Sequence, residues 1–160
     1  MPLSFLDRCC CIDIETNERG TIHALGAVFR DRRLHLKPGR SIGAHQLREL
    51  DALASEAEFL LGHNILDHDL PHLQSLAPGL ALLDKPVVDT LFLSPLAFPQ
   101  NPYHRLVKNY QLVRDSLSDP IEDALLAGRV FGEQWQALTG HLHHGSDAPL
   151  VYRGLFAREP

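Results

Sequence analysis

The stretch Cys11-Ile12-Asp13-Ile14-Glu15-Thr16 decides the fold. Two isoleucines alternate with two carboxylates, and side chains at i and i+2 of a strand leave the same face of a sheet. Read as a strand, the run sends Ile12 and Ile14 into a core and sets Asp13 and Glu15 side by side on the opposite face. Two carboxylates held that close repel each other unless a proton or a cation lies between them. A hard divalent ion such as magnesium, which takes oxygen ligands, suits the pair. A solvated strand end with two exposed acids has the same spacing, so the choice rests on where further carboxylates lie.

Working outward, Asn17 to Gly20 carries turn chemistry, and Thr21 to Phe29 reads as a second strand. Arg30-Asp31-Arg32 is a tight turn before a third strand over Arg33–Lys37, which Pro38-Gly39 ends. These strands make an antiparallel meander led by the acidic one. From Ala44 onward Leu47, Leu50, Leu53, Ala54 and Ala57 keep a helical period, with Leu60 and Leu61 in a short fourth strand ending at Gly62. Asp67 is the expected N-cap of the next helix, which puts Asp69 in its first turn. Pro86 to Thr90 reads as a short buried strand, and Pro95, Pro99 and Pro102 as breaks that open a loop. A short helix is expected over His104–Val113. The last helix is expected from Pro120 to about Leu142, capped by Asp119, with Pro120 at its first position and Glu122 completing a capping box. Its apolar stripe is Ile121, Ala124, Leu125, Gly128, Phe131, Trp135 and Leu138. Strands first, then helices mixed with strands, point to an α/β mixed sheet flanked by helices.

The bounds are ordinary. The chain has 160 residues, 44% of them apolar and 22% charged, which fits one domain with a real core. We expect one domain over residues 1–142 and a C-terminal tail, or a linker to a further domain, over 143–160. No apolar run is long enough for a membrane span, and Asp7 and Arg8 interrupt any secretory signal. The cysteines, Cys9, Cys10 and Cys11, are adjacent, so they form no disulfide framework and read as buried small hydrophobes in a reducing cytoplasm. A formal net charge of −5 argues against broad attraction to duplex DNA, while leaving room for a small nucleic-acid site whose acids a metal neutralises.

Two further acids lie at sensible places. Asp69 follows Gly62-His63-Asn64 at the mouth of a helix, and Asp123 lies one turn into the last helix. Taken together, CIDIET, GHNILDHDLPHL, VVDTL and SDPIEDALLAGRVF resemble the DnaQ-like, or DEDD, family of 3′–5′ exonucleases, over roughly residues 9–135. The resemblance implies a ribonuclease-H-like fold: a three-stranded antiparallel meander continued by parallel strands. It implies that Asp13, Glu15, Asp69 and Asp123 bind two Mg²⁺ or Mn²⁺ ions for phosphodiester hydrolysis at single-stranded DNA or RNA 3′ ends. Asp69 is preferred to Asp67 because HDLPHL matches the family's FDLPFL. Thr16, His63 and Asn64 are then expected at the terminal nucleotide, and Asp89, in the family's frequent D-T-L, is expected to be structural. Arg105, Lys108 and Arg114 offer phosphate contacts, the alternative being a solvated face.

The match fails at the general base. The family places a histidine five residues, or a tyrosine four residues, before the last aspartate; here those positions are Ser118 and Asp119. The base is therefore unassigned, with His104, then His63 and His68, as candidates. The alternative is a catalytically weakened module that binds nucleic-acid ends within a larger helicase or repair protein. SDPxxD and NPYHRLVK are similar to the exonuclease-like segments in front of some bacterial RecQ-like helicases, which makes a fused helicase domain and DNA repair the expected context. His68-x-x-x-His72 has the spacing of a zinc pair, but it lacks the glutamate of HExxH and contains Pro71.

Overall fold

The computed structural model describes residues 4–37, 42–101 and 119–143. It is an α/β structure with a five-stranded mixed sheet flanked by helices. In chain order the elements are β1 (Cys9–Thr16), β2 (Ile22–Phe29), β3 (Arg32–Leu36), α1 (Ala44–Ala54) and β4 (Phe59–Gly62). They continue with α2 (Asp69–Leu76), β5 (Val87–Asp89), α3 (Thr90–Ala97) and α4 (Pro120–His143). The strand order is β3-β2-β1-β4-β5. β1 pairs antiparallel with β2 and β2 with β3, whereas β1 with β4 and β4 with β5 are parallel.

The alternation read from β1 sorts the two faces. Cys10, Ile12 and Ile14 join Leu25, Ala27, Phe29 and Leu60 beneath α1, whose Leu47, Leu50, Leu53 and Ala54 fill the same core. Cys9 and Cys11 face the other way, with Val28 and Leu61, against Ile121, Ala124, Ala127 and Phe131 of α4. Asp13 and Glu15 continue this second row, so they leave the sheet on the face that α4 covers.

Three local expectations are corrected. Asp67 is not a cap: α2 starts at Asp69, with His68 in the capping position and no side-chain cap. Asp69 is instead drawn inward by a tertiary hydrogen bond described below, which outweighs the local capping preference. Pro95 does not break the chain but lies inside α3, whose last turn closes through the Phe98 N–H donating to Ser94 O. Trp135 is not core; it is 49% exposed, stacked on Phe5. The inward direction of that turn is taken by Gln134, which is fully buried and donates from Nε2 to the Thr90 carbonyl at 2.7 Å. The expected helix over His104–Val113, and His104, Arg105, Lys108, Arg114, Ser118 and the tail beyond 143, lie outside the described residues.

Among the described residues no helix is long and apolar enough to cross a membrane. All three cysteines are free and buried, as expected. Burial pushes the Cys9 thiol up to about 11 and those of Cys10 and Cys11 to about 12, from an ordinary 9.0. The neutral thiol is thus favoured by folding, and this contribution is fully present below pH 9. It is lost as pH rises through 11 to 12, where the unfolded chain releases its protons first. We expect 5,5′-dithiobis(2-nitrobenzoate) at pH 8 to label none of the three rapidly in the native chain and all three in guanidinium. Fast labelling of the native protein would contradict this packing.

Candidate metal centre

The acid cluster is assembled by a strand and a helix that are distant in the chain. Asp13 and Glu15 come from β1 because the pleat sends both to one face. Asp123 comes from the first turn of α4. Oxygens of these three carboxylates lie within 4.8 Å of one another. Asp13 and Glu15 are half-buried and Asp123 is 8% exposed. The start of α4 is fixed as the sequence implies: Asp119 Oδ1 accepts from the Ile121 N–H at 3.0 Å, and its carbonyl accepts from the Asp123 N–H at 3.0 Å. His35 Nε2 of β3 lies 3.8 Å from Asp119 Oδ1.

A feature that the sequence did not disclose shapes the strand end. The β1–β2 register slips between Glu15, opposite Ala24, and Thr16, opposite Ile22, leaving His23 as the extra residue of β2. Such bulges bend a strand and re-aim its side chains. Thr16 consequently meets α2's approach, with Oγ1 3.4 Å from His68 Nε2.

Asp69 stands apart from the three clustered acids but next to them. The last β1–β4 pair is Cys11 with Leu61, so beyond it β1 has no strand partner on that edge. There Asp69 Oδ1 accepts the Ile14 N–H at 2.9 Å, the amide lying between Asp13 and Glu15. Asp69 Oδ2 lies 3.5 Å from His68 Nδ1. Burial raises the Asp69 carboxyl above its ordinary range, opposed by His68 and by the Ile14 amide. The hydrogen bond with Asp69 raises His68 in turn, against its partial burial. His68 and His72 pack edge to face, with ring centroids 5.2 Å apart.

Asp89 and Thr90 lie where β5 ends and α3 begins. Asp89 Oδ1 accepts from the N–H groups of Asn64 and Leu91, each at 2.9 Å, and Oδ2 from Leu66 at 3.1 Å. It is thus the N-cap of α3 and the anchor of the loop after β4, a structural role as expected. Asn64 takes a left-handed φ of 63°, which asparagine tolerates better than most residues. The Thr90 hydroxyl donates to the Gly62 carbonyl at 3.2 Å, so in its 2.9 Å contact with His63 the imidazole Nδ1 is the donor. Burial lowers the His63 pKa, with Asp89 and Asp69 opposing. His63 and Asn64 therefore sit at the carboxyl ends of parallel strands, where ligands of open α/β sheets bind.

Three oxygen-only ligands, converging and shielded on one side by a helix, form a set suited to a hard divalent cation. The thiols on the same face, Cys9 and Cys11, belong to the packed core beneath α4 and supply no soft ligand there. Compared with models of protein families and with curated proteins, the chain matches none.

Proposed function

We propose that the chain is a metal-dependent exonuclease that removes nucleotides 3′ to 5′ from single-stranded nucleic-acid ends. The observation that carries this reading is the convergence of Asp13, Glu15 and Asp123 within 4.8 Å from two separate elements. Two things support it: the motif resemblance described above, and a strand order compatible with a ribonuclease-H-like sheet.

On this reading Asp13, Glu15 and Asp123 hold Mg²⁺ or Mn²⁺, and Asp69 completes the site of a second ion. When bound, the ions supply Lewis acidity toward the phosphodiester oxygens. The chain's own residues bind and orient. Asp69 fixes the backbone between Asp13 and Glu15, so the two carboxylates keep their spacing. Thr16, His63 and Asn64 contact the terminal nucleotide. With a net charge of −5, the chain attracts a polyanion only once cations neutralise the acid cluster, so chelation is expected to abolish binding as well as turnover. The expected partner outside the domain is a helicase module acting in DNA repair.

An end requirement tests the reading. Linear single-stranded DNA should disappear in Mn²⁺ while a single-stranded circle of the same sequence survives. Cleavage of the circle would contradict an exonuclease.

The second reading, an end-binding module with little turnover, is favoured by one observation. Asp119, one of the two usual base positions, is committed to capping α4. Ser118→His restores the other position. It should raise the rate by about 10²-fold or more if the chain is limited by its base. An unchanged rate would favour the binding module.

A further inference from the structure

The acids of the proposed centre meet because α4 lies extraordinarily close to the sheet at one point. Gly26 of β2 pairs with Asp13 on one side and with His35 on the other, so the three form one row across the sheet. A Cβ built on Gly26 would overlap the backbone carbonyl of Pro120 and the amide nitrogen of Ile121. These are backbone atoms of the first turn of α4 and cannot swing aside like a side-chain tip. That turn carries Asp123. Farther along, the same helix tolerates more: a Cβ on Gly128 would stand 3.4 Å from Cys11 Sγ, an ordinary contact.

We infer that Gly26 is a positioning residue of the acid cluster, whose missing side chain seats the first turn of α4 and so sets the reach of Asp123 toward Asp13 and Glu15. Any side chain at Gly26 lifts the helix start off the sheet and withdraws the third ligand. The inference rests on the metal-centre reading but not on cleavage. The Asp119 cap holds the same turn in shape, and Gly26 gives it a place to rest.

The test is Mn²⁺ binding by titration calorimetry on folded protein, with the fold followed by circular dichroism. Gly26→Ala should weaken Mn²⁺ binding about 10–100-fold, the usual effect of losing a group that orients metal ligands. Gly128→Ala, in the same helix–sheet contact but away from the acids, should leave the affinity unchanged. If the wild type cleaves, the metal concentration for half-maximal rate should rise for Gly26→Ala while the rate at saturating Mn²⁺ largely recovers. A folded Gly26→Ala chain with wild-type affinity overturns the inference. Should Gly26→Ala be too unstable for calorimetry, the shift of its urea unfolding midpoint by Mn²⁺ reads the same affinity: a diminished shift supports the inference and a wild-type shift overturns it. A wild type that binds Mn²⁺ but cleaves nothing, with binding lost in Gly26→Ala, ends the exonuclease reading and keeps this one.

Discussion

Asp13→Asn is expected to leave the fold standing and to remove the chain's response to metal. Three carboxylates with oxygens within 4.8 Å of one another repel when no cation is present, so withdrawing one charge relieves the folded state. Without metal the variant should be at least as stable as the wild type in urea. With Mn²⁺ at 100 times its dissociation constant the wild type gains about 2.7 kcal/mol, and the variant gains almost nothing. On the proposed function, loss of the cation's charge stabilisation, about 4 kcal/mol in the transition state, should reduce cleavage roughly 10³-fold. Unfolding curves with and without Mn²⁺ check the first part. A variant still stabilised by metal would place the cation elsewhere.

Asp89→Ala is expected to do the opposite, costing stability first. Asp89 is 4% exposed and accepts three backbone N–H groups, from Asn64, Leu66 and Leu91. Removing the carboxylate strips these donors together, unties the loop after β4 and uncaps α3. Each lost bond to a charged acceptor counts for about 1.5–3 kcal/mol when isolated, and with partial access to water the set should cost about 3–5 kcal/mol. That is a large share of a small domain's stability. Urea unfolding measures it; a loss below 1 kcal/mol would show that water replaces Asp89 at the three amides. The pair of variants separates the acids proposed to bind a cation from the acid that holds the backbone.

What the sequence discloses and what it hides follow from the range of the forces involved. The strand β1, the meander and the start of α4 are legible because alternation, turn residues and an Asp-Pro cap act over a few positions. The same short range explains the errors. Asp67 satisfies the local capping rule, yet the unpaired edge of β1 beyond Cys11 draws in Asp69 and moves the helix start. Pro95 reads as a breaker, but α3 needs only two turns and accommodates it. Trp135 keeps the apolar period of α4, yet the helix there faces the Thr90 carbonyl, which calls for Gln134. For the site, each of the acids was legible as a motif. The separate station of Asp69, the bulge at Glu15/Thr16 and the row Asp13–Gly26–His35 depend on strand register, which no single stretch encodes.

The most direct measurement is digestion of 5′-labelled single-stranded DNA and RNA with Mg²⁺ or Mn²⁺, with Asp13→Asn in parallel. The expected result is a ladder that shortens from the 3′ end, requires the metal and is absent from the variant. An intact substrate at every metal concentration, or an equal ladder from Asp13→Asn, would contradict it.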